Sequence, residues 1–112
     1  MEAEEAACRY LIAAGYRILE RNWRKPWGEL DIVASRNGTV HFVEVKAASV
    51  FHAGFEPFRR AGERKMHKVA RTARTWLSEH RYDPETEWQM DIVSVIMNGG
   101  PERMQIELFQ NV

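Results

Sequence analysis

Asn37-Gly38 stands between two runs rich in apolar and β-branched residues, Glu29 to Ser35 and Thr39 to Ala47. A two-residue type I′ turn needs positive φ at both central residues, and Asn-Gly is the pair that tolerates this best. The sequence therefore predicts a hairpin with Arg36-Asn37-Gly38 at its tip. Strand side chains alternate between faces, so Glu29 and Asp31 share one face, and Glu44 and Lys46 share one face of the next strand. A hairpin this short can bring Asp31 beside Glu44 and Lys46, although the pairing register is not readable from the sequence.

The remaining elements follow from periodicity. Ala3, Ala7, Leu11 and Ala14 recur at helical spacing over residues 3–14, and Gly15 is a natural stop. Tyr16 to about Trp23 reads as a strand, and Lys25-Pro26-Trp27-Gly28 as a turn. Residues 48–62, rich in Phe, Gly, Ala and Pro, read as a loop. From Glu63 to His80, Met66, Val69, Ala70, Ala73, Trp76, Leu77 and His80 form one apolar helical stripe. Asp83-Pro84 breaks the chain. Glu87 to Met97 is a strand, Asn98 to Pro101 a turn and Met104 to Phe109 a last strand. The order is αβββαββ within one domain, 1–112, the size that supports a single core.

The chain has 16 Lys+Arg against 16 Asp+Glu, a net charge of zero that by itself says nothing for an anionic partner. The distribution says more. Residues 59–81 hold eight bases and two acids, a net of +6, while residues 82–112 hold six acids and one base, a net of −5. Such asymmetry points to an anionic partner, although a solvated helix face accounts for it equally well. The acidic start is unlike a basic secretory signal, so a cytoplasmic protein is expected. No apolar run approaches the roughly 18 residues of a membrane span. The single cysteine, Cys8, rules out an internal disulfide.

Asp31 is flanked by Ile32-Val33, and Glu44 by Phe42-Val43 and Val45. Apolar runs of this kind belong to strands covered on both faces. Charges there are costly unless paired or ligating a cation, and two neighbouring carboxylates raise each other's pKa. A hard divalent cation resolves both problems with carboxylate and carbonyl oxygens. Its natural chemistry is phosphodiester hydrolysis, in which the metal activates water and a nearby lysine stabilises the charged phosphate. A buried salt bridge, or an edge strand facing water, would explain a lone Glu-x-Lys as well.

The residues resemble a known family. Asp31 followed by Glu44-Val45-Lys46 resembles the signature of the PD-(D/E)xK, or restriction-endonuclease-like, superfamily. The likeness is closer to the YraN-like group of small bacterial proteins. It runs from Tyr10-Leu11 and Gly15 to Leu19, through Arg21-Asn22-Trp23-Arg24, Gly28 to Ala34 and Phe42 to Lys46, to Lys65 and Met90 to Val93. The resemblance implies an α/β restriction-endonuclease-like fold, a mixed central sheet flanked by one helix on each side. It implies a Mg²⁺- (or Mn²⁺-) dependent nuclease, resolvase-like or structure-specific. Asp31, Glu44 and Lys46 would be catalytic. Asp31, Glu44, the Val45 carbonyl and Glu4 would hold the metal, with Glu5 the alternative to Glu4. Glu29 matches the group's Gly-Glu-x-Asp pattern and reads as a supporting acid or an arginine's partner. The chain departs from the group at Ala3, Ala47-Ala48 and Phe51-His52. These departures spare the metal ligands and are compatible with altered substrate choice or lost activity.

With such a site on the chain, Lys65, Lys68, Arg71 and Arg74 become phosphate-neutralising candidates. The partner is then nucleic acid, DNA before RNA, and a homodimer follows by analogy because two strands need two sites. The alternative is a nucleic-acid-binding module that keeps the fold but little or no catalysis. A protein-interaction domain using the acidic stretch from Asp83 or a sheet edge is a third reading. His41, His52, His67 and His80 show no metal-ligand spacing, and His52 alone falls near the expected site. Trp76 reads as core, Trp27 as the exposed tryptophan able to stack on a base, and Cys8 as a small buried hydrophobe.

Overall fold

The computed structural model describes the backbone of residues 2–48, 56–97 and 104–112, and their side chains apart from 48, 56–64 and 97. The elements are α1 (Glu2–Ala13), β1 (Arg17–Lys25), β2 (Gly28–Arg36), β3 (Thr39–Ala48), α2 (Glu56–Glu79), β4 (Trp88–Met97) and β5 (Met104–Phe109). They make a mixed α/β structure around one five-stranded sheet in the order β1-β2-β3-β4-β5. β1–β2, β2–β3 and β4–β5 pair antiparallel, and β3–β4 pair parallel. A parallel pair needs a long crossover, and α2 supplies it. At the β2–β3 turn Asn37 has φ 52° and Gly38 φ 82°, the two positive values that a type I′ hairpin requires.

One boundary differs from the sequence reading. Residues 56–62, expected to be loop, are the first two turns of α2. Pro57 falls in the first turn, where its missing N–H would have no intrahelical partner anyway, so it starts the helix instead of preventing it. The turn expected over Asn98 to Pro101, and Phe51 and His52 of the expected loop, lie outside the described residues.

The core divides into two clusters. Ala3, Ala7, Cys8 and Leu11 of α1 pack with Tyr16, Ile32, Ala34, Val43, Val93 and Val95. Val69, Ala73 and Trp76 of α2 pack with Leu30, Val33, Val40 and Phe42. Cys8 and Trp76 are buried, as the sequence predicts. The helices do not cover the sheet evenly, which corrects the simple expectation of one helix laid over each side. α1 spreads over β1, β3 and β4, whereas α2 meets chiefly β2.

The clusters expose a face switch. Ile32 packs in the α1 cluster and Leu30, two residues away on the same strand, in the α2 cluster. Regular alternation would put both on one face. On β1 the cross-strand partners behave alike. Arg21, opposite Ile32, reaches the carboxylates of α1, while Trp23, opposite Leu30, packs with α2's cluster. Between them Asn22 adopts φ 53°, the left-handed conformation that asparagine tolerates better than most side chains. Both strands therefore turn over at Asn22 and Asp31, and this irregularity positions the site.

Gly28 closes the β1–β2 hairpin onto α2. A Cβ there would collide with Oγ1 of Thr72, whose side chain is fully buried and donates to the Lys68 carbonyl at 2.9 Å. Gly28→Ala is expected to destabilise the protein by about 1–3 kcal/mol, the usual cost of overpacking. Thr72→Ala in the same chain removes the colliding oxygen. A double-mutant cycle from denaturant melts should then show positive coupling.

Candidate active site

The site lies where the turned-over part of β2 meets β3. Pairing of the two strands runs from Arg36↔Thr39 to Ile32↔Val43. Just beyond it, Oδ2 of Asp31 accepts the Val45 backbone N–H at 2.9 Å. The carboxylate thus takes a hydrogen bond that a strand carbonyl would otherwise receive. This fixes Asp31 against the Glu44-Val45-Lys46 segment.

Glu44 is only 3% exposed, an unusual environment for a carboxylate. Its Oε1 accepts from Nζ of Lys65 at 2.6 Å. Burial pushes the Glu44 pKa up. The Lys65 bond pulls against that, and the negative charge of Asp31 adds to the rise. Lys46 is shifted the other way. Burial, then the neighbouring Lys65 cation, hold its pKa below the ordinary lysine range, against the pull of Glu44 and Asp31. For Lys65 burial again opposes the charge, but the bond to Glu44 outweighs it and the pKa rises. Asp31, Glu44, Lys46 and Lys65 therefore form one electrostatic cluster of two acids and two amines.

A raised Glu44 pKa has a definite sign for stability. The folded state holds the Glu44 proton more tightly than the unfolded chain does. The resulting stabilisation is complete below the ordinary glutamate pKa and is lost as pH rises through the folded value. Glu44→Gln is therefore expected to raise the Tm of metal-free protein at pH 7 and to leave it unchanged near pH 3. Thermal melts in chelator at the two pH values check this.

The other sequence candidates sit elsewhere. Glu4 is buried on α1 with its Oε1 lacking any hydrogen-bond partner, and Nη2 of Arg21 lies 3.7 Å from that oxygen. Glu5 is half exposed and paired with Arg21 at 3.1 Å and Arg9 at 3.4 Å, which keep its pKa low. Neither glutamate is among the charges that act on Glu44. Among the described residues no group of three His, Cys, Asp or Glu side chains is arranged to hold a metal ion. Glu29 is exposed and pairs with Arg24 across β1 and β2 at 3.1 Å, the arginine partnership the sequence allowed. Lys68, Arg71 and Arg74 line the exposed side of α2. Lys65, at the head of this stripe, is drawn into the acidic cluster instead.

The residues fit a hard cation of few protein ligands. Mg²⁺ commonly uses one or two carboxylates and keeps several waters. Asp31 and Glu44 would supply two, and a cation would offset the burial that raises the pKa of Glu44.

Sequence reasoning missed a second buried polar group. Asp91, fully buried on β4, takes hydrogen bonds from His41 Nδ1 at 2.7 Å, Gln89 Nε2 at 2.8 Å and the Asn111 backbone at 2.9 Å. Tyr16 stands edge-on to His41 with ring centroids 4.9 Å apart. The available signal was one histidine and one aspartate, each embedded in an apolar strand run.

Fold and site together define a small mixed α/β domain with an acid–lysine cluster at a strand irregularity. The model of uncharacterised protein family UPF0102 matches residues 3–95, and the chain belongs to that family. A UPF0102 protein of Trichlorobacter lovleyi is 40% identical over 100 residues, covering 88% of this chain and 77% of the relative. One from Campylobacter fetus subsp. fetus is 32% identical over 111 residues, covering 99% and 89%. One from Helicobacter pylori is 33% identical over 112 residues, covering 100% and 88%. No helix among the described residues is long and apolar enough to cross a membrane.

Proposed function

We infer that this protein is a Mg²⁺- (or Mn²⁺-) dependent nuclease of the restriction-endonuclease-like fold, hydrolysing phosphodiester bonds in nucleic acid, DNA before RNA. The observation that carries the reading is the buried Glu44 carboxylate sharing its charge environment with Asp31 and two lysines. Asp31 and Glu44 would hold the ion, with the Val45 carbonyl beside them. A bound Mg²⁺ would activate water and offset charge developing on the phosphate. The low-pKa Lys46 suits orientation of that water or stabilisation of the phosphate. Lys68, Arg71 and Arg74 on α2 would draw in the phosphate backbone. The resemblance would have Glu4 of α1 complete the ligand set, although its Oε1 is paired with Arg21 at 3.7 Å. A homodimer would present two such sites to two strands.

One observation favours a second reading, a nucleic-acid-binding module with little or no catalysis. Lys65 already neutralises Glu44 at 2.6 Å, so the buried charge has a partner without any metal. Thermal melts with and without Mg²⁺ or Mn²⁺, joined to cleavage assays on duplex, single-stranded, flap and four-way-junction substrates, separate the two. The nuclease reading expects Mg²⁺ at about 100 times its Kd to stabilise the protein by ~2.7 kcal/mol. Asp31→Asn should abolish both that shift and cleavage. Salt-dependent binding without cleavage under either metal would establish the binding module.

A further inference from the structure

Trp27 is held in an unusual place for a tryptophan. The turn Lys25-Pro26-Trp27-Gly28 packs on α2 because Gly28 lies against Thr72. The indole is left 41% exposed, and the Arg71 guanidinium lies over its ring, 5.4 Å from the centroid. Lys68 and Arg74, three residues to either side of Arg71, are exposed as well. No acid occurs from Lys65 to Ser78, and the exposed Glu79 at the end of α2 is paired with Lys25 at 2.8 Å, so the stripe of Lys68, Arg71 and Arg74 is cationic.

An exposed indole under an arginine of a cationic stripe calls for a ligand with both anionic groups and bare planar faces. A single nucleic-acid strand has both, because its bases are unstacked from a partner while its phosphates remain. A duplex offers the phosphates but hides the ring faces, and leaves Trp27 unused. We propose that Trp27 and Arg71 form a stacking platform for an unpaired base of single-stranded DNA, with Lys68 and Arg74 on the flanking phosphates. The inference rests on the nucleic-acid reading above and narrows its substrate to DNA with a single-stranded segment. Lys65, beside Glu44, is six residues from Arg71 on α2, about 9 Å at 1.5 Å per residue. The unpaired base would thus lie roughly three base steps from the acid–lysine cluster. DNA is the committed strand because the inference rests on the nucleic-acid reading above, DNA before RNA.

The test measures binding in chelator, so that it does not depend on metal or cleavage. Fluorescence anisotropy would follow a labelled oligo-dT strand, a duplex of equal length and an oligo-U strand over a range of salt. Trp27→Ala is expected to weaken oligo-dT binding about 5- to 100-fold, as loss of one stacked base does. Duplex binding should change less than twofold, and the salt slope should stay constant. Arg71→Ala should lower that slope by about one. Oligo-dT should quench tryptophan emission in the wild-type protein and quench it less in Trp27→Phe. The Phe variant keeps a ring in the turn and so serves if the Ala variant misfolds. Unchanged oligo-dT affinity in Trp27→Ala together with equal quenching in Trp27→Phe overturns the platform. So does an equal loss on duplex. Oligo-U bound as tightly as oligo-dT overturns the DNA assignment. Absence of cleavage on every substrate, with the Trp27 effect intact, would sink the nuclease reading and leave the platform standing.

Discussion

Lys46→Ala is expected to lower metal-dependent cleavage by about 10²–10³-fold, the usual loss when one preorganised electrostatic stabiliser is removed from a reacting centre. The chain should remain folded. Lys46 is only partly buried, and its neighbour Lys65 is a like charge that presses its pKa down. Removing one of two adjacent amines relieves repulsion, so the Tm should stay within a few degrees of the wild-type value. Lys46→Arg keeps the charge but replaces a compact ammonium by a larger planar fork, and should rescue little. Single-turnover kinetics beside thermal melts check both outcomes. Cleavage by Lys46→Ala at the wild-type rate would mean that Lys46 takes no part in the reaction.

The largest effect on stability is expected from Asp91→Ala. Asp91 is fully buried and accepts three hydrogen bonds, one of them from the buried His41. Deleting the carboxylate strands the His41 ring, the Gln89 amide and the Asn111 N–H. Breaking a buried pair by removing one member costs about 3–5 kcal/mol. For a domain of this length that corresponds to a Tm lower by roughly 12–20 °C. Asp91→Asn keeps the shape and one acceptor oxygen and should lose less. The Asn111 bond, with Val112 N–H to the Met90 carbonyl at 2.9 Å, also ties the C-terminal residues to β4. Hydrogen exchange should therefore show the last three residues loosening in the Ala variant before the core does.

The two predictions concern charges at opposite ends of β3, and the sequence marks them unequally. Asp31, Glu44 and Lys46 are recognisable because a short hairpin can bring them together and because they match a family signature. His41 and Asp91 are 50 residues apart and meet only because β3 and β4 pair in parallel across a long crossover. The role of Lys65 differs for a similar reason. In the sequence it belongs with Lys68, Arg71 and Arg74 on a basic stripe. In the fold Lys65 reaches from α2 to the Glu44 carboxylate on β3 and leaves the stripe for that pair. Pro57 misled in the opposite sense, because a proline marks a break in a helix interior and a start in a first turn.

What the sequence by itself determined is what local physics decides. The Asn37-Gly38 turn needs positive φ, apolar strand runs need cover, and the apolar stripe of α2 needs a sheet to pack on. These fix the element order, the hairpin and the identity of the acids and lysine it brings together. The tertiary structure alone decided the strand turnover at Asn22 and Asp31, the capture of Val45 N–H by Asp31, the Lys65–Glu44 pair and the placement of Arg71 over Trp27. Each depends on register or on contacts between elements distant in the chain, and neither follows from composition or period. Burial then sets the chemistry, since the same glutamate and lysine would titrate ordinarily in water and do not where β2 and β3 part.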